Sequence, residues 1–203
     1  EEALPPTLPS ASEQQPLYNG ETRLYMSYIC PYAQRAWIAR NYKLPSLEHN
    51  NKIIGESLDL IKYIDSNFAG PKLTPDDPEK QRLGEELLAY SDSFHQAMCS
   101  ALISKGNVTA EAVAALDDIE CSLSKFDDGP FFLGQFSLVD IAYAPFIDGF
   151  QTLFAGIKNC NITEGSANIQ IFIEEMNKID AYTQTKQDPS EVIAPTKKKL
   201  GII

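Results

Sequence analysis

The sequence predicts a small α/β domain followed by an all-helical domain. Three observations predict it. Segments 21–69 alternate between strand-like and helix-like patterns, segment 70–78 holds three prolines and a glycine, and the apolar residues from 79 onward recur with the helical period. A chain of 203 residues is long enough to bury two small cores. We therefore expect a linker at 70–78 between domains at 21–69 and 79–203.

The N-terminal domain is expected to contain a strand, a helix, a hairpin and a second helix. Before it, residues 1–20 include four prolines and are predicted to form an extended arm. Residues rich in β-formers predict the strands, an Asn-Asn pair predicts the hairpin turn, and amphipathic spacing predicts the helices. The predicted strands are 22–29, 47–49 and 52–54, and the predicted helices are 31–43 and 56–68.

The C-terminal domain is expected to be a bundle of helices at 79–105, 109–125, 138–156 and 168–179. Ser137 and Asp140 have the spacing of a capping box, in which a hydroxyl and a carboxylate bind the free N–H groups of a helix start. Cys99 and Cys121 fall within helical patterns and are predicted to be small core residues. Cys160 lies in a polar stretch and has no predicted role.

Cys30 is the best candidate for chemistry. It falls between a predicted strand and a predicted helix, and Pro31 follows at the first helical position. A thiol there faces the positive end of the helix dipole and unpaired N–H groups, here those of Tyr32 and Ala33, which stabilise a thiolate. Because Ala33 stands where a Cys-x-x-Cys motif has its second cysteine, a disulfide at Cys30 needs an external thiol such as glutathione.

Composition and charge argue against several kinds of binding partner. The formal net charge of −11 argues against a nucleic-acid or anionic-membrane partner, since both require a basic surface. No apolar run is long enough to cross a bilayer. Four irregularly spaced cysteines and two isolated histidines lack metal-ligand spacing, so we expect no metal and a reducing compartment.

These residues resemble a known family. The run Cys30-Pro31-Tyr32-Ala33, the pair Leu44-Pro45 before a hairpin, and Glu56-Ser57 at a helix start, followed only by helices, look like a glutathione transferase. Cysteine in place of the usual tyrosine or serine points to the omega-like group, and segments 28–35 and 55–65 most resemble the plant lambda class. The resemblance implies the glutathione transferase fold, a thioredoxin-like N-terminal domain followed by a helical bundle.

The resemblance also implies the binding site for glutathione. Pro45 would be cis, so that the backbone of Leu44 pairs with the cysteinyl unit of glutathione like an added strand. Glu56 and Ser57 would bind the γ-glutamyl end, the carboxylate meeting its ammonium and the hydroxyl its carboxylate. Tyr32 completes the predicted glutathione-binding residues, and Cys30 is the predicted nucleophile.

One feature conflicts with this fold. Cys30 and the cis-proline should stand at the same end of the sheet, yet the helix at 31–43 leads away from that end for about 20 Å. The fold also requires a second parallel strand and its crossover helix in between, on the order of 25 residues. We therefore expect that a segment is absent between Lys43 and Leu44.

With cysteine as nucleophile, the expected activity is thiol transfer, the removal of glutathione from small glutathionylated substrates such as flavonoid conjugates. A dehydroascorbate reductase of the same chemistry and a non-catalytic carrier of aromatic ligands are the alternatives. Glutathione is the expected co-substrate. The resemblance suggests a monomer in the cytoplasm, or in the plastid if a transit peptide has been removed.

Overall fold

The computed structural model of the protein describes residues 29–43, 56–106 and 108–202. The predicted arm, the hairpin and all of the predicted first strand except Ile29 lie outside these ranges. Eight α-helices and one π-helix occur in the described part of the chain. They are α1 (Pro31–Lys43), α2 (Ser57–Asn67), α3 (Pro78–Ile103), α4 (Ala110–Leu123), α5 (Leu138–Leu153), the π-helix (Phe154–Lys158), α6 (Ala167–Met176), α7 (Asp180–Thr183) and α8 (Pro189–Lys199).

Most helices coincide with the predicted ones, and α8 was not predicted from the sequence. Its start carries two ordinary signals, since Asp188 accepts a hydrogen bond from Ser190 N–H and Pro189 occupies the first turn. Its last turn holds three lysines, which suit the negative end of the helix dipole. Helix α3 begins in the same way, with Asp77 as the N-cap and Pro78 after it.

Helix α5 is the central element of the helical domain. The predicted capping box is confirmed, because Ser137 Oγ accepts from Val139 N–H while Asp140 Oδ2 accepts from Ser137 N–H at 2.7 Å. Asp140 also accepts from Phe132 N–H at 3.1 Å and is fully buried. This network joins the start of α5 to the loop that precedes it.

The first two helices share one hydrophobic core with the helical domain. Ile38 of α1 and Ile61 of α2 are fully buried in the same cluster as the apolar residues of α3 and α5. The linker is hydrogen-bonded to α2, since Asp65 of α2 accepts hydrogen bonds from the N–H of Leu73 and the hydroxyl of Thr74. Helices α1 and α2 therefore pack against the later helices, and this packing positions α1 against α5.

The prediction for Cys121 was wrong, because its side chain is exposed on α4. Cys99 of α3 is half-buried rather than fully enclosed. Helical spacing indicates that a residue lies in a helix, but a cysteine at the border of the apolar face can turn either way. Phe94 and Met98 of the same helix, by contrast, are completely buried core residues.

Candidate active site

Cys30 lies directly before the first turn of α1, as predicted. Its carbonyl oxygen accepts the first hydrogen bond of the helix, from Gln34 N–H at 3.0 Å, and Pro31 is the first helical residue. The thiol is free and half-buried. Cys30 is therefore the N-cap of a helix of 13 residues, the position from which a sulfur can face the amide groups of the first turn.

Tyr32 turns its ring toward the helical domain. The ring packs edge-on against His95 of α3 and Phe146 of α5, with centroid distances of 5.1 and 5.0 Å. Burial, supplemented by the charge of Asp92, raises the pKa of the Tyr32 hydroxyl. The side chain of this predicted glutathione-binding residue thus forms part of an aromatic cluster between the domains.

Glu56 and Ser57 stand at the start of α2, as predicted. Glu56 is exposed, and its side chain makes no capping hydrogen bond to the helix. Ser57 is half-buried, and its hydroxyl accepts a hydrogen bond from Arg35 at 3.2 Å. The first turn of α2 therefore receives no side-chain cap from Glu56, and the Ser57 hydroxyl is connected to α1 through Arg35.

Arg35 makes that connection and was not singled out from the sequence. Its side chain is completely buried, Nε donates to the Ala142 carbonyl at 2.9 Å, and the guanidinium lies 4.3 Å from the Phe146 ring centroid. Burial lowers the pKa of Arg35 to about 10, with nearby acidic groups led by Asp92 acting in the opposite direction. The group remains a cation at neutral pH.

His95 is a second residue that sequence reasoning did not place in the site. Its ring lies 4.7 Å from Phe146 and 5.5 Å from Phe150, and Nε2 lies 3.6 Å from Cys99 Sγ. Burial, followed by the charge of Arg35, lowers the pKa of His95. The lowered pKa favours the neutral form of the imidazole. His95 follows the core residue Phe94 and is rotated from it by about 100° around the helix axis. This place at the edge of the buried face was the signal that the sequence offered for His95.

The structure brings Tyr32 and Ser57 together around Arg35, and Cys30 directly precedes the helix that carries Arg35. Leu44 and Pro45 lie outside the described residues, so their predicted contacts with glutathione stay predictions. No group of three His, Cys, Asp or Glu side chains with metal-binding geometry occurs in the ranges that the structure describes. Within the same ranges, no helix is both long and apolar enough to span a membrane.

A separate cleft of about 410 Å³ lies at the linker, between the first half of α3 and the start of α5. Its apolar walls include Leu73, Leu88, Leu133 and Val139. None of the predicted site residues lines it, so it is not the site described above.

The fold and the site define a class, the glutathione transferases. The family described as glutathione S-transferase, N-terminal domain, matches residues 40–72. The glutathione transferase Omega 3C of Trametes versicolor has a TM-score of 0.69 to this chain at 19% identity, covering 89% of this chain and 91% of that one. At that identity the likeness concerns the fold, and the predicted fold class is confirmed.

Closer relatives identify the group within that class. Protein IN2-1 homolog B of rice, Oryza sativa subsp. indica, is 59% identical over 92% of this chain and 88% of its own length. Glutathione S-transferase L2, chloroplastic, of Arabidopsis thaliana is 50% identical over 96% of this chain and 76% of its own length. The chain belongs to the glutathione S-transferase family, and its relatives are those of the plant lambda class, which confirms the resemblance found in the sequence.

Proposed function

We propose that this protein is a glutathione-dependent thiol transferase in which Cys30 is the nucleophile. The observation that supports this most directly is the position of Cys30 at the N-terminus of α1, beside a buried cation, Arg35, that also contacts Ser57. A hydroxyl at this position would hold the thiolate of glutathione and activate it. A protein thiolate instead competes to be the nucleophile itself, which favours thiol exchange over addition of glutathione to electrophiles.

The proposed reaction has two steps. The Cys30 thiolate attacks the glutathionyl sulfur of the substrate, and a disulfide forms while the bond between that sulfur and the substrate breaks. The electron pair leaves with the substrate, which takes up a proton and departs reduced. The thiolate of a second glutathione then attacks the mixed disulfide, leaves as oxidised glutathione and restores the Cys30 thiolate.

Residues that take no part in the bond changes would orient the glutathionyl group. Glu56 carries an exposed carboxylate that can bind the γ-glutamyl ammonium, and Ser57 presents a hydroxyl beside the free N–H groups of α2. Leu44 and Pro45 are proposed to pair with the cysteinyl unit. Binding energy along the tripeptide would thus hold its sulfur against Cys30.

The aromatic cluster supports an aromatic acceptor. Tyr32 and His95 are only half-buried, and Tyr32 belongs to the first turn of α1, two residues after Cys30. Flat aromatic molecules such as flavonoids would stack on them. We propose small glutathionylated aromatic compounds as the substrates, a monomer as the active form, and a reducing compartment, the cytoplasm or the plastid, as the location.

We also propose that the chain lacks an internal segment between Lys43 and Leu44. The alignment with the rice protein is 215 positions long although it covers 92% of a 203-residue chain, and that with the Arabidopsis protein is 224 positions long. An alignment longer than the chain contains positions that only the relative occupies. The excess is of the size that a strand and a crossover helix require.

The absence of a segment between Lys43 and Leu44 favours a second function, that of a ligand carrier. Glutathione would bind weakly because part of the glutathione-binding domain is missing, while the aromatic cluster could still bind aromatic ligands. Insertion of the rice segment between Lys43 and Leu44 tests the first point. Glutathione binding, measured by calorimetry, should strengthen at least tenfold in the extended protein, and unchanged binding would contradict the proposed absence.

Replacement of Cys30 by serine tests the enzymatic proposal. The assay follows the reduction, by glutathione, of the mixed disulfide between glutathione and 2-mercaptoethanol. Cys30→Ser should lose the activity, while Cys121→Ser, the same change at an exposed thiol on α4, should keep it. A protein without activity that still binds aromatic ligands would support the carrier.

A further inference from the structure

The guanidinium of Arg35 has one nitrogen that the protein does not use. Nε donates to the Ala142 carbonyl and Nη1 to the Ser57 hydroxyl, but Nη2 is buried without a hydrogen-bond partner among the described residues. Because a guanidinium is planar and rigid, Nη2 is held beside the nitrogen that reaches Ser57. An unused donor is therefore fixed next to the first residue of α2.

A buried cation without a bound anion is costly. None of the ion pairs in the described part of the chain includes Arg35, and Asp92 acts on it only through space. The rings of Phe146 and Tyr32 offset part of this cost, with the guanidinium carbon 4.3 and 5.1 Å from their centroids. They leave the Nη2 donor itself unsatisfied.

A second, half-buried cation of the chain has its partners within the protein. Nζ of Lys158 donates to the carbonyls of Ser104 and Gly106 at 2.8 and 2.9 Å and to the Ser104 hydroxyl at 3.4 Å. Nη2 of Arg35 is more deeply buried and has no such partner among the described residues. This donor is therefore available to a group from outside the protein.

We propose that Arg35 is a positioning residue whose Nη2 binds the free α-carboxylate of the γ-glutamyl unit of glutathione, while Nη1 orients the Ser57 hydroxyl toward the same carboxylate. The inference rests on the glutathione site of the proposed function and adds a cation to it. The uncapped N–H groups at the start of α2, a helix of 11 residues, would face the carboxylate from the other side. Because the guanidinium is planar and rigid, Nη2 can donate to a carboxylate oxygen from a fixed position, which the ammonium of a flexible lysine would not do.

The test combines two ligands with one substitution. S-methylglutathione is compared with an analogue in which 4-aminobutanoate replaces the γ-glutamyl unit, so that only the α-carboxylate is missing. Calorimetry on the whole wild-type protein should show that the analogue binds about tenfold to a hundredfold more weakly. Arg35→Gln should weaken S-methylglutathione by a similar factor and leave the affinity for the analogue unchanged.

Two further variants make the result interpretable. Arg82→Gln, the same change at an exposed arginine paired with Glu86, should bind both ligands like the wild type. Arg35→Lys keeps the charge, should recover part of the affinity for S-methylglutathione alone, and serves as the probe if Arg35→Gln does not fold.

Equal weakening of both ligands by the Arg35 substitutions would assign the residue a merely structural role and overturn the inference. So would a wild-type protein that binds both ligands equally well, because the carboxylate would then contribute nothing. A failure of the enzymatic proposal is distinguishable from both outcomes. In that case Cys30→Ser would not change the reaction, while the two ligands would still differ in affinity for the wild type.

Discussion

Asp140 should be one of the most important residues for the stability of this protein. It is fully buried and accepts hydrogen bonds from Phe132 N–H, Ser137 N–H and the Ser137 hydroxyl. Asp140→Ala leaves two buried main-chain donors without an acceptor, each costing about 1–3 kcal/mol, partly offset because no carboxylate is buried any longer. We expect the free energy of unfolding to fall by about 3–5 kcal/mol.

Urea unfolding followed by circular dichroism measures this change. Ser137→Ala removes only the hydroxyl of the capping box and should cost about 1 kcal/mol. Asp117→Ala, at an exposed position on α4, is the matched control and should stay within about 0.5 kcal/mol of the wild type. A loss below about 1 kcal/mol for Asp140→Ala would refute the view that this network holds α5 in place.

The pH dependence of stability gives a second measure of the same residue. Burial raises the pKa of Asp140 to about 7, above the value near 4 of an exposed aspartate. Between these two values the folded protein holds a proton that the unfolded chain has released. The stability contributed by this group is therefore full below about pH 4 and is lost as the pH rises through 7, by up to about 1.4 kcal/mol per pH unit. Asp140→Asn should lack this slope.

Two more predictions concern the interface between α1 and the helical domain. The pKa of the His95 imidazole, measured by NMR, should lie below that of an exposed histidine, and Arg35→Gln should raise it because the nearby positive charge is gone. An unchanged pKa in that variant would contradict an electrostatic effect of Arg35 on His95. Thr185→Val removes the hydroxyl that accepts a hydrogen bond from Gln34 Nε2 at 3.0 Å. The free energy of unfolding, measured by urea titration, should fall by about 1 kcal/mol. An unchanged value would show that the remaining hydrogen bond from Gln34 Nε2 to the Thr185 carbonyl suffices.

Local signals in the sequence predicted the parts of the fold that depend on neighbours along the chain. The start of α1 followed from Cys30 and Pro31, and the start of α5 from the spacing of Ser137 and Asp140. Helix α8 has comparable signals at Asp188 and Pro189, but its apolar pattern is weak and none of its residues is buried. Cys121 was wrongly expected in the core because helical spacing does not fix which face a small border residue takes.

The features that sequence reasoning could not find depend on tertiary contacts. Arg35 and the Ala142 carbonyl are separated by 107 residues, and no pattern in either segment announces the hydrogen bond between them. Pro145 removes the intrahelical donor for the carbonyl of Ile141, close to the point where Arg35 contacts the helix. The aromatic cluster around His95 likewise requires three helices to meet. The sequence pattern predicted Cys30 and Ser57 as site residues. Only the packing shows that Ser57 accepts a hydrogen bond from the buried Arg35 of α1.

Peptide mass spectrometry measures directly whether Cys30 accepts glutathione from a disulfide. The reduced protein is exposed briefly to oxidised glutathione, quenched with acid and digested without reductant. We expect one glutathionyl group on Cys30, added well before any on Cys99, Cys121 or Cys160, and its removal by added glutathione. An unmodified Cys30, or a Cys30 modified no faster than the exposed Cys121, would show that Cys30 is not the nucleophile.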